Sequence, residues 1–283
     1  MDGRAMSGAA TDDGATGAAD LVARLRAAGC VFAEDEAAVL LEAAAGSAAR
    51  LEALVVRRVA GEPLEHVVGW VDLDGLRLAV APGVFVPRQR TVLLAHEAAR
   101  LAEAARPAGT VADAASRPVV VDLCCGVGAV GALVAARVPG AVVHAADVDP
   151  AAVAVARRNL PHGRVTSGDL FDALDGGLRG TVDVLAANAP YVPTDAIATM
   201  PPEARLFEAA VALDGGADGL DVQRRIVADA PAWLAAGGHL LVETSEGQAE
   251  GSADAFRAAG LVDVRTLRDD ERDATVVVGR RPA

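Results

Sequence analysis

The sequence predicts an α/β protein: a mostly parallel sheet with helices on both faces, preceded by a small helical module and a β-hairpin. Three observations carry this prediction. From Val119 onward, apolar runs of strand length alternate with stretches of helical period, the pattern of parallel strands joined by crossover helices. Ahead of Val119, apolar residues first recur at helical spacing and then alternate around an Asp-Gly pair. The chain has 283 residues, 52% hydrophobic and 23% charged, which suffices for a sizeable core and excludes global disorder. Only 3% are aromatic, so that core must be built from Ala, Val and Leu.

Residues 1–16 are rich in Gly, Ala, Ser, Thr and Asp and read as a disordered leader. From Asp20 to about Ala60, Leu21, Val22, Leu25, Val39, Leu40, Leu51, Leu54 and Val55 mark three short helices, separated near Gly29 and Gly46. Gly61-Glu62-Pro63 ends the third. Residues 66–86 alternate around Asp74-Gly75, the turn signal of a hairpin. A helix over 91–105 follows, then a small-residue linker from Arg106 to Pro118. Strands are predicted at 119–123, 141–146, 164–166, 182–187 and 239–244, and helices at 129–138, 150–160, 219–236 and 248–259. Asp149-Pro150 is a helix start. Strands at 262–267 and 274–280, joined by the charged turn Arg268–Asp273, should add an antiparallel edge. Ligands of such sheets sit at the carboxyl ends of the strands.

A net charge of −13 argues against a protein that grips a nucleic-acid backbone over a broad surface. Cys30, Cys124 and Cys125 are too few for a disulfide framework, and no His stands at metal spacing from them, so no metal is expected. There is no basic-then-apolar signal pattern and no apolar run of about 18 residues, so a cytoplasmic, non-membrane protein is expected. All 26 basic residues are Arg, and the chain has one Tyr and two Asn. Two of those three scarce residues, Asn188 and Tyr191, fall within one tetrapeptide.

Asp122-Leu123-Cys124-Cys125-Gly126-Val127-Gly128-Ala129 joins a strand to a helix, and its glycines let the backbone approach a ligand. Gly126, Gly128 and Gly131 have the spacing of the dinucleotide fingerprint, but an acid precedes the loop, so the loop alone leaves a nicotinamide cofactor open. Cys124 and Cys125 read as small packing residues of this loop, with a reactive thiol at a helix N-terminus as the alternative. Asp147 ends the next strand about 20 residues on, where a carboxylate can accept both ribose hydroxyl protons; helix capping is the plainer explanation. Asp169 follows the third strand at a place suited to an adenine amino group. Asn188-Ala189-Pro190-Tyr191 follows the strand at 182–187. The Asn carboxamide oxygen and the next carbonyl are two acceptors for one planar NH2 group. Proline fixes the backbone, and the Tyr ring can lie over the amide or base that carries the NH2.

With these residues in view, the chain resembles the HemK/PrmC-type protein-(glutamine-N5) methyltransferases from about residue 20 to its end. Glu62–Gly69 resembles the family's segment between helical module and hairpin, and Val86-Pro87-Arg88-Gln89-Arg90-Thr91 its Ile-Pro-Arg-x-x-Thr stretch. Asp122–Gly131 resembles the glycine motif, Asp147 the ribose-binding acid, and Asp169-Leu170-Phe171 the adenine-side loop. Phe207-Glu208 and Leu213–Leu220 match the stretch before the next helix. Two departures stand out: Ala189 where the family has Pro, and Gln89-Arg90-Thr91-Val92 where it has Pro-Asp-Thr-Glu. They suggest a divergent paralogue.

The resemblance implies a Rossmann-like fold with a seven-stranded sheet over 87–283, a helical substrate-recognition domain over 17–65 and a hairpin connector over 66–86. It implies S-adenosyl-L-methionine as cofactor, held by Cys124, Cys125, Gly126, Val127, Gly128, Asp147, Asp169, Leu170 and Asn188. The acceptor would be a glutamine on a protein, a release factor with its Gly-Gly-Gln loop or a ribosomal protein. Asn188, Ala189, Pro190 and Tyr191 would carry catalysis and, with Arg88, acceptor binding, while the N-terminal module and Pro87–Thr91 would help recognise the surrounding protein. The rivals are a nucleic-acid adenine N6-methyltransferase and a catalytically silent S-adenosylmethionine-binding protein.

Overall fold

A computed structural model describes residues 13–105 and 117–283. The chain divides into two compact units, the first ending at Val68 and the second running from Gly69 to Ala283. In the first unit, α1 (Asp13–Ala27), α2 (Ala33–Ala44), α3 (Ala48–Val59) and the short α4 (Leu64–Val68) enclose a core of Leu21, Leu25, Ala37, Leu40, Leu54, Val55 and Val67. Gly29 and Gly46 fall between the helices with φ of 93° and 80°, conformations that a side chain disfavours. Ser47 caps α3 by accepting a hydrogen bond from the Arg50 amide. The expected leader is corrected at its end: residues 13–16 already belong to α1, while 1–12 lie outside the described residues. Burial of Leu21 and Leu25 anchors the helix, and propagation back over small residues then costs little. Most of the expected linker at 106–118 also lies outside the described residues.

The second unit opens with the hairpin β1 (Trp70–Leu73) and β2 (Leu76–Ala79). Asp74 and Gly75 both have positive φ, 50° and 81°, the two-residue turn whose twist matches that of the flanking strands. Then come α5 (Thr91–Ala104), β3 (Val119–Leu123), α6 (Ala129–Arg137), β4 (Val142–Asp147), α7 (Pro150–Asn159), β5 (Arg164–Ser167) and β6 (Val182–Ala187). They are followed by α8 (Pro202–Phe207), α9 (Asp221–Trp233), β7 (Leu234–Thr244), α10 (Ala249–Ala258), β8 (Val262–Asp269) and β9 (Ala274–Arg280). Asp149 caps α7 through the Ala151 amide, and Pro150 occupies its first turn. The helix expected over 219–236 stops at Trp233, because Leu234 onward pairs with β6. α4 and α8 had no clear periodic signal in the sequence.

The large sheet has seven strands in the order β5-β4-β3-β6-β7-β9-β8, parallel except where β9 pairs with β7 and β8. β3 lies between β4 and β6, so successive crossovers leave it in opposite directions. A crevice opens at that switch point. The pleat sends Val120, Val184 and Ala186 into one core with α5, α6 and α7, and Val121, Leu123, Leu185 and Ala187 into another with α9 and α10. Strands buried on both faces have nothing polar to alternate with, hence their continuous apolar runs. Among the described residues no helix is long and apolar enough to cross a membrane.

Candidate active site

The carboxyl ends of β3, β4 and β6 open into a cavity of about 470 Å³, within the size range of small-molecule sites. Cys124, Gly126, Asp147, Asp169, Leu170, Asn188, Ala189, Pro190, Tyr191 and Arg88 all line it, so most of the expected site residues meet in one place. Cys125, Val127 and Gly128 do not. Cys125 and Val127 are buried in the core beneath the loop. Gly128 faces α7, where a Cβ would lie 2.9 Å from Leu160 Cδ1. Its glycine serves helix packing, and only Gly126, where a Cβ would meet no atom within 4 Å, faces the open cavity.

Cys124 and Leu170 line the cavity in the left-handed conformation, with φ of 53° and 49°, which non-glycine residues rarely adopt. Burial, with Asp147 next in effect, pushes the Cys124 thiol well above its ordinary range. Cys125 shifts the same way, chiefly through burial. Both shifts favour the packing reading over the reactive thiol, because a thiol so disfavoured as thiolate is a poor nucleophile.

Asp147 accepts hydrogen bonds from the Gly126 amide (2.8 Å) and the Asp149 amide (2.9 Å), one on each carboxylate oxygen. Those bonds aim the carboxylate into the cavity and leave a lone pair on each oxygen for a diol. Burial raises its pKa, and the two amides oppose that shift. Asp122, fully enclosed at the end of β3, accepts from the Gly131 amide at 2.9 Å and is pushed up to about 7 by burial. Asp169 is held by Arg225 at 2.6 Å on the rim.

On the other side of the cavity, Asn188 Nδ2 donates to Thr91 Oγ1 at 3.1 Å, which points the carboxamide nitrogen away from the cavity and leaves Oδ1 to face it. Arg90 donates to the Tyr191 hydroxyl at 3.2 Å, and Arg88 pairs with the buried Glu208 at 2.5 Å. Thr91 is buried, so the expected recognition role of Pro87–Thr91 does not extend to it; it supports Asn188 from behind. Behind the tetrapeptide, the Val192 amide donates to Leu213 O, the Gly215 amide donates to Val192 O, and Gln248 donates to Tyr191 O. The Leu213–Leu220 loop thus clamps the backbone of Val192, and Gln248 holds that of Tyr191. Sequence reasoning matched this loop to a family pattern without finding its purpose. It passed over Glu243, and it matched the stretches holding Arg90 and Glu208 without finding their partners Tyr191 and Arg88, which are remote in the chain. The second Asn is structural: Asn159 bonds both Ala79 backbone groups and Val127 O, tying the hairpin to the glycine loop.

A seven-stranded sheet of this order, with a glycine turn and a strand-end carboxylate opposite an Asn-x-Pro-Tyr wall, defines an S-adenosylmethionine-dependent methyltransferase. The methyltransferase small domain model matches residues 109–259. A release factor glutamine methyltransferase of Geobacter sulfurreducens is 38% identical over 231 residues, 80% of this chain and 76% of that protein. The chain belongs to this family of release factor glutamine methyltransferases. A 4-amino-L-phenylalanine/4-methylamino-L-phenylalanine methyltransferase of Streptomyces pristinaespiralis is also 38% identical, over 73% of this chain and 69% of that one. In fold, the chain is similar to a T. thermophilus 16S rRNA N2 G1207 methyltransferase solved with AdoMet and guanosine. The TM-score is 0.52 at 21% identity, over 75% of this chain and 49% of that one.

The site suits the cofactor. Gly126 leaves room at the turn, the fixed Asp147 carboxylate would take a ribose diol, and Ala146, Val148 and Leu170 would form apolar walls for a base. Replacing Asp147 with Ala is expected to weaken S-adenosylmethionine binding about 10-fold or more, since a hydrogen bond to a charged group contributes roughly 1.5–3 kcal/mol. Isothermal calorimetry checks this, with circular dichroism to confirm that the turn at Gly126 survives the loss of its acceptor.

Proposed function

We propose that this chain methylates the side-chain amide nitrogen of a glutamine on a protein, with a release factor as its substrate and the cytoplasm as its site of action. The observation that carries the reading is the placement of Asn188. Its NH2 is tied to Thr91, so its oxygen faces the cavity that Asp147 and Gly126 share. Asn188 Oδ1 and the Ala189 carbonyl would accept the two protons of the acceptor amide. Tyr191, with its hydroxyl held by Arg90, would stack on the amide plane.

An amide nitrogen is a poor nucleophile because its lone pair is delocalised into the carbonyl. Two hydrogen bonds from its N–H groups favour a more pyramidal nitrogen and aim the lone pair along one direction. The bound cofactor supplies an electrophilic methyl group on a sulfonium. Asn188 and Ala189 therefore orient, Tyr191 excludes water from one face, and the acceptor nitrogen loses its proton after transfer. Ala189 in place of the family's proline removes one fixed φ, but the Leu213–Leu220 clamp restrains the residues that follow. One glutamine offers too little contact area for useful affinity, so surrounding protein surface must add the rest.

The test is transfer from methyl-labelled cofactor to four acceptors side by side: release factor, ribosomal proteins, DNA and 4-amino-L-phenylalanine. Label on the release-factor glutamine is expected. Label on DNA adenine alone would establish the base-methylating rival, and label on the free amino acid alone would make this a small-amine enzyme.

A further inference from the structure

A carboxylate at the end of β7 is buried without a cation in contact. Glu243 is 1% exposed, forms no ion pair among the described residues, and its Oε2 has no hydrogen-bond partner there. Parallel pairing puts Val242 level with Ala187, so the next residues up the two strands, Glu243 and Asn188, stand side by side. The Thr91 hydroxyl and the Asn188 amide lie close enough to the Glu243 carboxylate to oppose the rise in its pKa that burial causes. Thr91 Oγ1 accepts from Asn188 Nδ2 at 3.1 Å, so its own proton is free to point onward.

A carboxamide is nearly symmetric in shape, and a flip would present NH2 to the cavity where an acceptor is needed. Thr91 alone cannot prevent that flip, because a hydroxyl donates or accepts as its neighbour demands. An ionised carboxylate can only accept. Beside Thr91 it would draw the hydroxyl proton toward itself, which leaves the Thr91 oxygen as acceptor for Asn188.

We infer that Glu243 is a positioning residue for methyl transfer, acting through Thr91 to hold the Asn188 carboxamide with Oδ1 toward the acceptor nitrogen. This rests on the acceptor role proposed for Asn188. Burial pushes Glu243 up to about 7, with Thr91, Arg90 and Asn188 opposing that shift. The charged and titratable groups around it are Arg90, from the turn before α5, and the Tyr191 phenol, after β6. From α9 and β9 its neighbours are Gln223, bonded to its carbonyl, and Val276, neither of which titrates. As pH falls through about 7, Glu243 gains a proton, becomes a donor and no longer enforces the order of the chain.

The experiment measures kcat, KM for a release factor, and S-adenosylmethionine affinity for wild type, Glu243→Leu, Glu243→Gln, Thr91→Val, the Thr91→Val/Glu243→Leu double variant, and Asn188→Ala. Selective ¹⁵N-Asn labelling reads the amide directly, because the chain has only Asn159 and Asn188, and Asn188→Ala assigns the pair. Glu243→Leu and Thr91→Val should each lower kcat by roughly 10–100-fold with cofactor affinity within about threefold, and the double variant should be no worse than either. Glu243→Gln, which keeps an acceptor oxygen but adds an NH2 donor, should recover only part of the loss and should remove the acid limb of the kcat profile. The Asn188 side-chain resonances should titrate near pH 7 in wild type and not in Glu243→Gln. If Asn188→Ala is inactive while Thr91→Val and a folded Glu243→Leu turn over like wild type, the positioning role is overturned and the acceptor reading stands. Additive losses, or Asn188 resonances that do not respond to pH, also overturn it. If Asn188→Ala itself turns over normally, both fall.

Discussion

Asn188→Ala is expected to lower turnover by about 10²–10³-fold, the range for deleting one preorganised hydrogen-bonding group at a reacting centre. S-adenosylmethionine affinity should stay within a few-fold. The expectation follows from where the side chain is anchored. Its nitrogen bonds Thr91 at 3.1 Å, and its oxygen is left to the acceptor side of the cavity. Truncation removes an interaction used to orient the acceptor, so kcat and kcat/KM should fall together. Single-turnover transfer to release factor, alongside calorimetric titration with the cofactor, separates the two effects. Parallel loss of cofactor binding would mean that Asn188 serves the cofactor first.

Gly215→Ala is the other substitution expected to silence the enzyme, although Gly215 does not line the cavity. A Cβ there would sit 2.6 Å from Gly219 O, 2.7 Å from Pro190 O and 2.8 Å from Tyr191 Cα. All three are backbone atoms, so the new methyl cannot be accommodated by a side chain turning aside. Either the Leu213–Leu220 loop lifts off or the Pro190–Tyr191 backbone moves, and the Gly215-to-Val192 hydrogen bond of 2.9 Å suffers in both cases. A displacement near 1 Å at a positioning residue costs on the order of 10²-fold in rate. Overpacking of this kind also costs about 1–3 kcal/mol of stability. The prediction is a fall of about 10²-fold in turnover with a modest drop in melting temperature, measured by thermal denaturation beside the methylation assay. Near-wild-type turnover would show that the tetrapeptide does not depend on its clamp.

Much of the fold was legible because its signals are local. The apolar runs at 119–123 and 182–187 are strands over those same residues. Asp74-Gly75 makes the tight turn, and Asp149-Pro150 starts α7. The leader boundary failed because a helix anchored by Leu21 and Leu25 extends over small residues that carry no periodicity of their own. β7 began five residues earlier than the sequence suggested, because pairing with β6 recruits Leu234.

The sequence by itself determined which loops could hold the site. Strand ends are set by where apolar runs stop, so Gly126, Asp147, Asp169 and Asn188 had to emerge at one edge of a parallel sheet. Tertiary structure alone decided which of their neighbours face that edge. Cys125, Val127 and Gly128 sit in the same loop as Cys124 and Gly126, yet they turn inward to the core or to α7. It also decided what stands behind the Asn188–Tyr191 wall: Thr91 from α5, Glu243 from β7 and the Leu213–Leu220 clamp, between 25 and 97 residues from Asn188 in the chain. The physical reason is one of range. Periodicity and turn chemistry act over a few residues, whereas a buried polar group finds its partner through strand register and helix packing, which exist only once the chain has closed on itself.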